Sequence, residues 1–200
     1  MQKLRIALPF VAIVLGVITI AAGIYAIVEG ASAKSDVEDK LQDQNITLPD
    51  DAAEVVEGAK PGAVVDTPHE AEQMANVINA HALEASGGLT YAEMGRYATE
   101  DGNPAGTNDK EQAAVGPNGQ PLPNPVRNTA FQAAALQTSL YSSFMGFKVS
   151  DFVQGFGLFA IAVGIFMIFA GVAFLGAAKA LFGDKGEKAA QPEPVPPSTT

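Results

Sequence analysis

The sequence predicts an α-helical membrane protein: a two-span transmembrane hairpin with a mostly helical and irregular extracytoplasmic insert. Three observations lead there. Two long apolar runs, Ile6–Val28 and Phe152–Ala178, flank a polar acidic stretch, and the lysines and arginines favour one side of both runs. A helix needs about 20 apolar residues to cross roughly 30 Å of hydrocarbon, and neither run contains Asp, Glu, Lys, Arg or His. A cleavable signal peptide is the rival reading of the first run, because Lys3 and Arg5 precede it and Ala31-Ser32-Ala33 resembles a cleavage site. Signal peptides carry an apolar core of only about 7–15 residues, so the longer run is expected to stay as an anchor.

Orientation follows from charge. Lys3 and Arg5 lie before the first run and Lys179, Lys185 and Lys188 after the second, whereas Lys34, Lys40 and Lys148 are the cations near the inner ends. Cytoplasmic flanks hold the excess of Lys and Arg. Residues 1–5 and 179–200 are therefore expected in the cytoplasm, 6–28 and 152–178 in the plasma membrane, and 29–151 outside. That outer stretch has 19 Asp+Glu against 7 Lys+Arg, a net charge of −12, which excludes nucleic acid as a partner because that needs a basic surface. The chain has no cysteine. Disulfides, thioether-attached haem and cysteine-ligated iron–sulfur or copper centres are excluded with it, and no cofactor is expected.

The apolar runs carry a pattern. Glycines recur every seven residues at Gly16, Gly23 and Gly30, and again at Gly157, Gly164 and Gly171. Seven residues is nearly two helical turns, so each set forms one stripe of small residues along which two helix backbones can approach in lipid. Phe152, Phe159 and Phe166 repeat at the same interval, two residues on and so about 200° around the helix. The expected arrangement is a glycine-to-glycine antiparallel pair with the phenylalanine ridge turned to lipid or to a larger partner. Chance spacing in Ala/Gly-rich helices is the alternative. Ion or proton transport ordinarily requires ionisable groups within the spans, so the runs read as anchors or packing surfaces.

Between them, Ser35 and Glu38 have capping-box spacing for a short helix over 36–44, and Asn45–Pro68, rich in proline, glycine and acid, is expected to run extended over a surface. Thr67 can cap a helix with Pro68 in its first turn and Glu70 three residues on. Its apolar stripe is Ala71, Met74, Ala75, Ile78, Ala82 and Ala85, and Gly87-Gly88 ends it, giving a helix over 68–86. Thr90 and Glu93 repeat the capping spacing for a helix over 91–96, and Gly102–Pro125 reads as a long loop. A further helix over 129–147, starting at Asn128 or Thr129, presents Phe131, Ala135, Leu136, Leu140, Phe144 and Phe147. The tail, Pro-rich over Gln191–Thr200, is expected to be disordered.

Two strings, His81-Ala82-Leu83-Glu84-Ala85-Ser86-Gly87-Gly88-Leu89-Thr90-Tyr91-Ala92-Glu93 and Leu136-Gln137-Thr138-Ser139-Leu140-Tyr141-Ser142-Ser143-Phe144, resemble a family of actinobacterial two-span membrane proteins often labelled "aromatic ring-opening dioxygenase". Asn45-Ile46-Thr47-Leu48-Pro49-Asp50-Asp51 fits as well, while the Glu100–Val126 loop is longer than usual for the family. Some members are similar to the small accessory subunit of the actinobacterial respiratory supercomplex. The resemblance implies cytochrome bcc and cytochrome oxidase subunits as partners.

The dioxygenase label fails on residues. A non-haem iron site of that class needs two histidines and a carboxylate on one face of the metal. Only His69 and His81 exist, twelve residues apart, about 18 Å along a helix. His69 with Glu72, and His81 with Glu84, supply two ligands each, short of the three of a catalytic zinc. His81 and Tyr91 are read as turn-fixing or partner-contacting residues. Two functions remain: a non-catalytic structural subunit of a larger membrane complex, or a free-standing envelope protein that binds a ligand or partner through the outer segment.

Overall fold

The long helices form over the apolar and alanine-rich sequence, and the connections between them are rich in glycine, proline and asparagine. In the computed structural model, which describes the backbone of residues 2–188 and the side chains of residues 7–177, four helices follow in order: α1 (Gln2–Gln42), α2 (Ala52–Val55), α3 (Pro68–Ala85) and α4 (Pro125–Lys188). No named strand occurs among the described residues, only isolated bridges. The chain divides into two units, one of Met1–Ala31 with Phe152–Thr200 and one of Ser32–Asp151.

The first unit is built from the apolar lengths of α1 and α4, each long and apolar enough to cross a membrane. Pro9 lies inside α1, where it removes one backbone donor. The Thr19 hydroxyl donates to the Leu15 carbonyl at 2.8 Å, so this polar group in the apolar run is satisfied within its own helix. The expectation of disorder over 179–200 is corrected in part: α4 continues to Lys188. Ala-Lys-Ala-Leu-Phe favours helix and no proline intervenes before Pro192. Residues 189–200 lie outside the described residues.

The second unit has a core of its own. Leu41 of α1, Leu48, Ala52 of α2, Ala59, Val65, Ala71, Ala75 and Val77 of α3, and Leu140 and Phe147 of α4 are buried together. The stretch from Asn45 to Pro68 therefore does not run extended over a surface. It doubles back: Leu48 N–H donates to Ala63 O at 2.9 Å, Gly62 N–H to Leu48 O at 2.8 Å and Val65 N–H to Ile46 O at 2.9 Å. This folds Leu48 and Val65 inward, and the acidic cluster contributes α2, which packs on α3.

No helix starts at Ser35; the expected 36–44 helix is the end of α1, since nothing before Ser35 breaks the chain. Across from it, Lys34 Nζ donates to Asp151 Oδ1 at 2.8 Å. This half-exposed pair is worth at most about 1 kcal/mol. Thr67 caps α3 through its carbonyl, which accepts from Ala71 N–H at 3.0 Å, without a side-chain bond. α3 buries Ala71 and Ala75 on the expected stripe but also Gln73 and Val77 on the opposite side, while Ala85 is exposed. On that opposite side Asn76 Oδ1 accepts from the Tyr141 hydroxyl at 2.8 Å. Gly87 and Gly88, with φ of 68° and 87°, end the helix in the left-handed region that glycine adopts without cost.

The expected 91–96 helix does not form. Thr90 and Glu93 make their local bonds, but Gly95 then packs its α-carbon on the Thr107 backbone. Such an approach leaves no room for a helical turn. The stretch to Asn124 is a stapled loop, with Tyr97 and Thr107 exchanging N–H···O bonds at 2.9 Å and Ala98 N–H donating to Leu122 O at 2.9 Å. α4 starts at Pro125, ahead of the expected Asn128, because Asn124 caps it: its Oδ1 accepts from Val126 N–H at 3.0 Å and Arg127 N–H at 3.3 Å. Of the expected stripe Leu140 and Phe147 are buried, while Phe131, Ala135 and Leu136 are exposed and Ala130 and Ala133 face inward in their place.

Phe147 is the largest fully buried side chain of this core. Phe147→Ala should cost about 3–5 kcal/mol. Cutting after Glu57 by a glutamate-specific protease, in the turn between Leu48 and Val65, should then accelerate at least about a hundredfold. Unchanged cutting would detach that turn from the core.

Candidate functional site

Four of the five glycines expected to pack helices take up reciprocal positions within the first unit, and the fifth, Gly171, meets Pro9. A β-carbon at Gly16 would lie 2.6 Å from the Gly164 carbonyl oxygen, and one at Gly164 would lie 2.6 Å from the Gly16 carbonyl oxygen. Gly23 and Gly157 stand in the same mutual relation, also at 2.6 Å, and Gly171 would meet the Pro9 carbonyl at 2.8 Å. As numbers rise along α1 they fall along α4, so these backbones run antiparallel in direct contact. Ile20 and Ile27 of α1, and Ile161 and Ile168 of α4, flank the contacts. Any side chain larger than hydrogen would collide with backbone, which cannot turn aside.

Opposite this seam, Phe152, Phe159 and Phe166 are 73%, 64% and 73% exposed. Phe156, Phe169 and Phe174 broaden the exposed aromatic surface. The helices bury one narrow stripe and leave their large side chains outside.

In the second unit the two histidines stay apart. His69 is exposed at the start of α3, whereas His81 Nε2 lies 2.8 Å from Asp51 Oδ2, beside α2. That contact ties the residue before α2 to α3, and not the turn after α3 for which His81 was a candidate. Among the described residues no three His, Asp or Glu side chains gather as a metal site requires. Ser142 and Ser143 donate to Thr138 O and Ser139 O within α4.

Tyr91 sits at the edge of the stapled loop. Its ring packs on Phe131 with centroids 5.5 Å apart, and the Arg127 guanidinium lies 3.9 Å from the ring centroid. Arg127 Nε also donates to Met94 O at 3.1 Å. Beneath them Asn124 is buried, its Nδ2 donating to Gly95 O at 3.2 Å and Pro104 O at 3.0 Å. Sequence reasoning missed Asn124, Arg96 and Arg127. Asn124-Pro125 is a cap-and-proline helix start, and Arg96 and Arg127 are the only arginines between the apolar runs, so both signals were present.

Near Tyr91, Glu93 accepts from Thr90 N–H at 2.8 Å and Thr90 Oγ1 at 2.7 Å. The backbone bond first and the hydroxyl second hold its carboxyl below the usual carboxylate range.

No family model, curated protein or solved structure matches the chain.

Two predictions arise. Gly164→Ala and Gly16→Ala should each cost about 1–3 kcal/mol by overpacking, read as earlier unfolding in an SDS titration. Gly155→Ala and Gly176→Ala, where a β-carbon meets nothing within 4 Å, should be neutral; equal behaviour of all four would reduce the seam to composition. Glu93, for its part, has a depressed folded pKa, so its contribution is present above the ordinary carboxylate pKa and is lost as pH falls through the lower folded value. A carboxyl-carbon NMR titration should show that low midpoint, and Thr90→Ala should raise it.

Proposed function

We infer that the chain is a non-catalytic accessory subunit of a membrane complex. Its assignment to the actinobacterial cytochrome bcc–oxidase supercomplex rests on the family resemblance. In this reading α1 and α4 cross the plasma membrane as a hairpin, both termini are cytoplasmic and Ser32–Asp151 lies outside. The carrying observation is the aromatic ridge on α4, set opposite a glycine seam that already satisfies the pairing with α1. In lipid, helices associate by dispersion and fit, and a row of phenylalanines offers a second such surface to a larger partner. Only 11% of each apolar window is buried, an exposed apolar area that water would not tolerate. The spacing of His69 and His81, with His81 held by Asp51, supports a supporting rather than a chemical role.

One observation favours the second reading, a free-standing envelope protein: Ser32–Asp151 gathers its own core and so does not need a partner in order to fold.

Purification in mild detergent, followed by identification of co-purifying proteins and a haem spectrum, separates the two. Haem-bearing oxidase subunits should accompany the wild type and be lost in Phe159→Ala/Phe166→Ala, while Gly155→Ala retains them. A chain recovered alone from native membranes sinks the subunit reading. For topology, an impermeant thiol reagent on intact cells should label Asn118→Cys, at an exposed loop position, and spare Thr200→Cys. The reverse pattern would invert the orientation.

A further inference from the structure

Ser32–Asp151 is strongly acidic, yet one cleft in it is lined by no Asp, Glu or Lys. Both arginines of the segment, Arg96 and Arg127, line it, thirty-one residues apart in sequence. Neither forms an ion pair among the described residues; the two pairs present are Lys34–Asp151 and His81–Asp51. A guanidinium in an acidic protein finds carboxylates easily, so two that converge without one are held apart for something else.

The holding is visible. Asn124 N–H donates to Arg96 O at 2.9 Å, and Asn124 Oδ1 accepts from Arg127 N–H at 3.3 Å, so one buried residue, through its backbone and its side chain, fixes both arginine backbones. A β-carbon on Gly106 would strike the Asn124 amide, so the place Asn124 occupies depends on glycine there. Arg127 is further pinned by Met94 O and by the Tyr91 ring, leaving its terminal nitrogens as donors. Asn128 adds an amide to the rim, and Tyr91 and Phe131 form an apolar wall.

We propose that this cleft binds a carboxylate of a partner protein, an Asp or Glu side chain or a chain end, next to an apolar residue that rests on Tyr91 and Phe131. The guanidinium fork matches a planar carboxylate and accepts it in two parallel hydrogen bonds. The cleft measures about 270 Å³, just below the roughly 300–1,000 Å³ of pockets that enclose a small molecule, and its aromatic wall is open to solvent. That size takes one side chain, and tyrosine and arginine are the residues on which protein interfaces concentrate their binding energy. The net charge of −12 over residues 29–151 penalises a dianionic phosphate more than a monoanion. The proposal does not depend on the membrane reading.

The test uses the full chain in a nonionic detergent and saturation-transfer NMR, with empty micelles as blank. Four probes are compared: N-acetyl-phenylalanine, its amide, the blocked dipeptide N-acetyl-Phe-Glu-amide, and phenyl phosphate, with acetate as competitor. Saturable binding of either carboxylate-bearing peptide probe is expected, with the amide at least about tenfold weaker. Arg96→Gln, at an exposed position that leaves the Asn124 bonds intact, should weaken binding about tenfold, and Arg96→Lys should restore part of it. Binding should weaken with rising salt. Equal binding of the amide, indifference to Arg96→Gln, displacement by acetate as effective as by the peptides, preference for phenyl phosphate, or no saturable binding would each overturn the proposal.

Discussion

A carbonyl oxygen standing 2.6 Å from where a β-carbon would be leaves only glycine, and this constraint, repeated reciprocally at Gly16–Gly164 and Gly23–Gly157, organises the first unit. Each glycine of a pair turns an α-hydrogen toward the other's carbonyl. Such Cα–H···O contacts are worth about 0.5–1 kcal/mol each, so their larger effect is on register. A slip by one helical turn would bring a branched side chain, such as Ile20 or Ile161, onto the opposite backbone. Because one face is used for this approach, with only isoleucines flanking it, the bulkier phenylalanines are driven elsewhere, and their exposure follows from the seam as much as from any selection for aromatic character.

The two units spend small residues differently. In the first, glycine lets backbone touch backbone. In the second, Ala52, Ala71 and Ala75 are fully buried and let α2 and α3 approach while Leu48, Val65 and Phe147 fill the remaining space. Gln73 is buried with its amide nitrogen unpartnered, an unusual cost for an interior position. The core is thin in aromatic side chains, and the loop from Ser86 to Asn124 is held by backbone bonds and by Asn124 more than by apolar burial.

Much of the first unit was legible because helical geometry converts a seven-residue interval directly into a stripe: Gly157, Gly164 and Gly171 read as a line on any helix. The start and stop of α3 were equally local, set by Thr67-Pro68 and Gly87-Gly88. What failed depended on distant chain. Thr90 and Glu93 form the local bonds their spacing announces, but whether a helix follows is decided by Thr107 against Gly95, twelve residues away. The core contribution of Leu48 and Val65 was hidden because proline, glycine and acid dominate composition there, although two apolar residues in a closed turn suffice. The candidate cleft was least legible: Arg96 and Arg127 meet only because Asn124 bonds to both backbones.

That dependence bears on selectivity. Long-range charge is screened within about 8 Å at physiological ionic strength, so the acidic surplus of Ser32–Asp151 acts on an anion mainly in the last few ångströms of approach. There it opposes binding everywhere on the surface except where guanidiniums lie closer than the nearest carboxylates. A lone arginine would be captured by one of the many neighbouring acids. Two arginines whose backbones are fixed by one buried asparagine, one of them with its Nε held by Met94 and its plane over Tyr91 so that its terminal nitrogens stay free, resist that capture. The acidic background then becomes part of the recognition, because it rejects anions that cannot reach both forks at once, and the burial of Asn124 is what keeps the exception in place.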